Sequence, residues 1–165
     1  MSMNATFVQV DAGELSQFQA DPSSVEALFQ DRLQGARSHA VLSLDKAWHG
    51  VHYVLCGEAE PGPTLLSQAV LGGADLGEDD EGFSGYGPAR CFSAAQVAEI
   101  AQALSRPELE SAAAARFDAE AMSRLDIYPG WQTSDAGWVL DGLRRLRDFY
   151  SDAAVRGRAI VTCLV

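Results

Sequence analysis

The fold turns on "RAIVTCLV", residues 158–165, a continuous apolar stretch rich in β-branched residues that directly follows Gly157. It is too short for a free-standing helix and suits a strand buried on both faces. At the other end of the chain, "ATFVQV", residues 5–10, has the same character. Neither strand could satisfy its backbone N–H and C=O groups alone, so the two are expected to share one sheet.

Between these ends the signals are mostly helical. Asp11, with Glu14 three places on, forms a cap-like helix start. Asp21 and Pro22 open a second helix running to about Gln34, since proline is tolerated at the first helical position. "GARSHAVLS", residues 35–43, reads as a loop, and "LDKAWHGVHYVLCG", residues 44–57, as a third helix ending near Gly57. "PGPTLLSQAVLGG" gives a short fourth helix. Residues 72–90, rich in glycine and acid, read as a long irregular loop, with "ARCF" a short strand at its end. Ser93 caps a helix carrying Val97, Ile100, Ala101 and Leu104 on one stripe, and Pro107 begins another. Ser134 opens the longest helix, with Val139, Leu143, Leu146, Tyr150 and Ala153 on its apolar face. Asp141 with Arg145, and Arg144 with Asp148, are spaced for ion pairs on its outer side. These elements describe an α+β fold, a single domain over residues 1–165 whose small mixed sheet of roughly three or four strands is covered by helices.

Composition narrows the function. The 165 residues are 47% hydrophobic, enough for one sizeable core. A net charge of −11, from 23 acids against 12 bases, opposes binding to phosphate backbones and anionic membranes. The amino-terminal residues lack a signal-peptide pattern and no apolar run is long enough to span a membrane, so a cytoplasmic location is expected. Cys56, Cys91 and Cys163 are odd in number and widely spaced, which signals neither a disulfide framework nor a thiolate zinc site. No metal or cofactor is expected, and no GxSxG elbow, P-loop or dinucleotide fingerprint is present.

Three segments carry the chemistry. On a helical wheel, Asp45, His49, His52 and Cys56 fall within about 60° of one another, and Ala47, Trp48, Val51, Val54 and Leu55 centre roughly 130° away. Such a stripe is able to bind a divalent ion or to supply a general base at His49 with Asp45 fixing its tautomer, although HxxH is a weak signal. In "SGYGPARCF", residues 84–92, glycines permit close backbone approach while Tyr86 and Arg90 offer a hydroxyl and an anion-binding fork. In "LDIYPGW", residues 125–131, Asp126, Tyr128 and Trp131 surround Pro129, either as a recognition surface or as a rigid turn with buried aromatics.

Taken together in this order, "LDKAWHGVHYVL", "GYGPARCFS" and "DIYPGW", followed by "LRDFY…RGRAIVTCLV", resemble the YfbM-like family of small uncharacterised bacterial cytoplasmic proteins. The resemblance implies an α+β single domain and carries over no established activity, cofactor or catalytic residue. It transfers positions only: Asp45, Lys46, Trp48, His49 and Gly50; Gly85, Tyr86, Gly87, Pro88 and Arg90; and Asp126, Tyr128 and Pro129. Cys56 departs from the family pattern, so no thiol chemistry is carried over.

The resulting expectation is a binding module that engages a protein or small-ligand partner through Trp48, Tyr86, Arg90, Asp126, Tyr128 and Trp131. One version is an inhibitor that sets its acidic residues 75–81 against a cationic protein. The alternative is a small hydrolase-like enzyme with His49 as general base, Asp45 as its orienter, His52 as a second base or metal ligand and Arg90 holding an anion. Convergence of the three segments on a cavity, or their packing on one another, discriminates the two. The Asp45/His49/His52 stripe is expected to face "GYGPAR" or "DIYP" rather than open solvent.

Overall fold

A computed structural model describes residues 2–33, 40–78 and 82–165. Both ends of the chain are strands of one sheet, and they are neighbours. β1 (Ala5–Val10) and β5 (Ala159–Leu164) pair antiparallel along their full length, from Ala5 opposite Leu164 to Val10 opposite Ala159. Just beyond the ladder, Asn4 and Val165 exchange backbone hydrogen bonds of 2.7 and 2.9 Å. With β2 (Val41–Asp45), β3 (Ala74–Leu76) and β4 (Ala89–Phe92), the described residues form a five-stranded sheet of order β2-β1-β5-β4-β3. Where a mixed sheet was expected, every pairing is antiparallel, because β1 to β2, β3 to β4 and β4 to β5 each return the chain to the end of the sheet it left.

Alternation along the strands feeds two apolar layers. Val8, Val10, Ala89, Cys91, Val161 and Cys163 face α1 (Ala12–Ala20) and α2 (Val25–Leu33), which supply Leu15, Phe18, Val25 and Phe29. Phe7, Leu42, Leu44, Phe92 and Ile160 face a larger layer. That layer comprises α3 (Trp48–Cys56), α4 (Leu65–Leu71), α5 (Ala94–Leu104), α6 (Leu109–Arg116), α7 (Ala119–Arg124) and α8 (Ala136–Val155). The centre of the sheet is therefore buried on both sides, which is why β5 reads as an unbroken apolar run rather than an alternating one.

Local signals set several boundaries as read. Asp11 with Glu14 and Ser93 with Gln96 form capping boxes, and Gly57 ends α3 in the left-handed region at φ 79°. Other expectations need correction. Pro22–Ser24 forms a 3-10 turn before α2, and a second 3-10 turn, Thr133–Asp135, precedes α8. Leu44 and Asp45 belong to β2 rather than to a helix: Leu42 and Leu44 alternate into the core while Val41, Leu42, Ser43 and Asp45 lie opposite residues of β1, and this pairing takes precedence over the helical spacing. Of the expected 35–43 loop, residues 41–43 are also part of β2, and residues 35–39, like part of the acidic 75–81 stretch, lie outside the described residues. Ala74–Leu76, expected to be irregular, adds an edge strand to β4. The expected pairs on α8 are replaced by tertiary partners. Arg144 Nε donates to Glu110 at 2.9 Å and Arg145 donates to the Ser43 carbonyl at 2.7 Å. No described helix is long and apolar enough to cross a membrane.

Tyr150 ties the layers together. Its side chain is fully buried, its ring meets Phe92 edge-on, and its hydroxyl donates to the Ala69 carbonyl in α4 at 2.7 Å. Burial holds the phenol far above its usual pKa, so it remains a donor. Tyr150→Phe leaves the Ala69 carbonyl without this donor. The variant is expected to lose roughly 1–3 kcal/mol of stability in urea denaturation with the fold retained.

Candidate functional site

Gly50 and Val51 place α3 deep in the helical layer. A Cβ on Gly50 would lie 2.5 Å from Cζ2 of Trp131, so the absence of a side chain is what lets the indole cross the helix. The first turn of α3 then directs Trp48 and His49 toward the sheet end where β4 and β5 meet.

His49 is a polar joint with both nitrogens engaged. The Tyr128 backbone N–H donates to Nδ1 at 2.9 Å, which requires the proton on Nε2, and Nε2–H donates to the Ala59 carbonyl at 2.9 Å. Burial lowers the pKa of this imidazole, opposed by the Ala59 carbonyl and the nearby Glu60 charge. Trp48 stacks on His49 with centroids 4.6 Å apart and on Tyr128 at 5.8 Å. Met3 fastens the other side: its carbonyl accepts from Trp48 Nε1 at 3.2 Å and its N–H donates to the Tyr128 hydroxyl at 3.1 Å.

His52 is fully buried one turn further on. Its Nε2 lies 3.4 Å from Cys56 Sγ, and Nδ1 makes no hydrogen bond. Desolvation lowers its pKa, opposed by the Glu60 backbone and carboxylate, with the neighbouring His49 adding to the shift. Cys56 is pushed up by burial and stays a thiol, so the pair is neutral rather than a thiolate and imidazolium. Among the described residues, no group of three or more His, Cys, Asp or Glu is disposed to hold a metal ion.

A cavity of about 260 Å³ opens beside the joint. Trp48 and His49 form one wall, Ala59, Glu60 and Pro61 a second, and Tyr86, Pro88 and Arg90 a third, while Thr162, Cys163 and Leu164 form its floor at the end of β5. Arg90 is directed here by its place on β4 opposite Thr162. Its Nε donates to Asp75 at 3.1 Å and an Nη to the Leu71 carbonyl, so the fork is engaged by the protein.

The expected site is thus partly assembled. Trp48, His49, Tyr86 and Arg90 converge on the cavity as candidates from two separate segments. Asp45 does not join them. It ends β2 at φ 48°, exposed, and bonds Ser43 at 2.9 Å, because the strand stops three residues before α3 starts. It cannot orient His49. His52 is core. Tyr128 supports the joint through its backbone N–H to His49 and its ring against Trp48. Trp131 is buried over Gly50 and donates to the Tyr128 carbonyl at 3.1 Å. Asp126 is exposed and does not line the cavity. Their turn is the rigid one with packed aromatics. Sequence reasoning missed Glu60, Pro61 and Thr162. The cap at Gly57 signals that the chain leaves α3, but nothing local signals that residues 58–62 fold back across its first turn.

The two imidazoles make stability depend on pH. Both folded-state values are lowered, whereas the unfolded histidines titrate near about 6.5. Below that value the unfolded chain binds more protons than the folded one, so stability is full above it and falls as pH drops toward the folded values. Urea denaturation at pH 7.5 and 5.5 should show a loss that is smaller in His52→Gln, where one of the two titrating rings is gone. An equal loss in both proteins would show that His52 is protonated in the folded state.

Comparisons with known proteins come to one family. A family model for a domain of unknown function, DUF1877, matches residues 1–163. No curated protein matches the chain. Among solved structures, the crystal structure of a protein of unknown function, YfbM from Escherichia coli, is similar, with a TM-score of 0.72 and 23% identity over 98% of this chain and 99% of that one. At that identity the likeness speaks to the fold, which includes the five-stranded sheet and its helical layers. The chain belongs to the DUF1877 family.

Proposed function

We propose that the chain is a binding module whose cavity beside the His49 joint takes a small ligand. The observation that carries this role is the meeting of Trp48, His49, Glu60, Tyr86 and Arg90 around one concave space, with apolar Val70, Leu71 and Pro61 between the polar groups. A few polar groups on an apolar lining is the usual make-up of a small-molecule site, and about 260 Å³ sits just below the common range of about 300–1,000 Å³. The hydrolase alternative is disfavoured by the same geometry. His49 has no free lone pair, because Nδ1 already accepts from Tyr128, and Asp45 lies elsewhere. The three unpaired cysteines suit a reducing compartment, the cytoplasm.

Filling the cavity tests this role. Ala59→Phe sets a ring into the space from its second wall. Ligand-observed NMR against a fragment mixture should detect binders to the wild-type protein that are lost in the variant, at a melting temperature close to wild type. Binders that persist undiminished in a folded Ala59→Phe protein would move the site elsewhere.

A further inference from the structure

We propose that the ligand of this cavity is a small organic cation, an amine with an apolar body, whose ammonium group is received at Glu60; this rests on the binding role proposed above and adds the charge and shape of the occupant. Only two lining residues carry a full charge, since His49 is held neutral by its two hydrogen bonds. They are not equivalent. Arg90 is matched by Asp75 at 3.1 Å and caps the Leu71 carbonyl, so its charge and two of its N–H groups are already answered within the protein. The Glu60 carboxylate makes no hydrogen bond or ion pair among the described residues, and its charge is felt by both His49 and His52. The unanswered charge in the cavity is therefore negative.

The neutral groups fit the same occupant. The hydroxyls of Tyr86 and Thr162 have no protein partner among the described residues, and both can accept from an ammonium N–H. Val70, Leu71, Pro61 and Pro88 offer apolar contact for the rest of the molecule. Trp48 is stacked on His49 and Tyr128, so its indole is given no cation–π role. Over longer range, a chain of net charge −11 raises the local concentration of cations and lowers that of anions.

Three probes of one shape separate the possibilities: benzylamine, protonated at neutral pH, benzyl alcohol and benzoate. Each is titrated by ligand-observed NMR against wild type, Glu60→Gln and Ala59→Phe, with melting temperatures recorded for all three proteins. Glu60 is exposed, so Glu60→Gln should leave the fold unchanged. The expected result is that benzylamine binds wild type more tightly than either analogue. Glu60→Gln should weaken it roughly three- to tenfold, the range for a charge-assisted contact at a partly screened position, and leave benzyl alcohol unchanged. Equal binding of all three probes, or preference for benzoate, with loss in Ala59→Phe would overturn the cationic class while leaving the small-ligand site standing. Failure of all three to bind wild type would count against the site itself, and benzylamine binding that is indifferent to Glu60→Gln would remove Glu60 from the role given to it.

Discussion

The pairing of β1 with β5 is the constraint on which the rest of the structure depends. Six residue pairs join the first strand to the last, and the ladder sits at the middle of the sheet rather than at an edge. Every other strand is added outward from that pair. Both faces of the central ladder are apolar, so both have to be covered, and the chain between the two ends divides into the short α1–α2 layer and the larger α3–α8 layer. Contacts between residues 149 to 159 positions apart are costly in chain entropy, and they hold because burying two apolar faces at once outweighs the closure of so long a loop.

The candidate site lies where this closure brings separate segments together. The floor of the cavity is the end of β5, the third wall is the approach to β4, and the first wall is the start of α3. Met3, just before β1, holds Trp48 and Tyr128 by its two backbone groups. The stacked Tyr128, Trp48 and His49 rings are thus anchored to the strand pair, and the cavity is a preformed space with a rigid wall. That rigidity favours binding of a matching small molecule, because little ordering is left to accompany it.

His49 shows how one residue type can suggest catalysis and serve architecture. An imidazole is among the few side chains able to accept from one backbone N–H and donate to one backbone carbonyl at opposite ends of a ring. Here it joins the turn at Tyr128 to the turn at Ala59 across α3. The same two bonds that make it a good joint deny it the free lone pair that a general base needs.

What could be read along the chain was whatever depends on neighbours within a few residues. The capping boxes at Asp11 and Ser93, the stop at Gly57, the apolar stripe of α8 and the strand character of both ends all follow from local backbone and side-chain preferences, and all are present. The sharing of one sheet by the two ends followed from the need of each to satisfy its backbone groups. Burial and partner choice did not follow. Asp45, His49 and His52 look alike on a helical wheel, yet one ends a strand, one is a joint and one is core, because β2 pairs with β1 and stops the helix from starting until Trp48. Trp131 and Tyr128 looked like a recognition pair until Gly50 admitted the indole into the helical layer. Glu60 carried no local signal at all. Its place in the cavity depends on a turn folding back over α3 and on a sheet end contributed by residues a hundred positions away, and contacts of that range are set by the packing of whole layers rather than by any spacing within a segment.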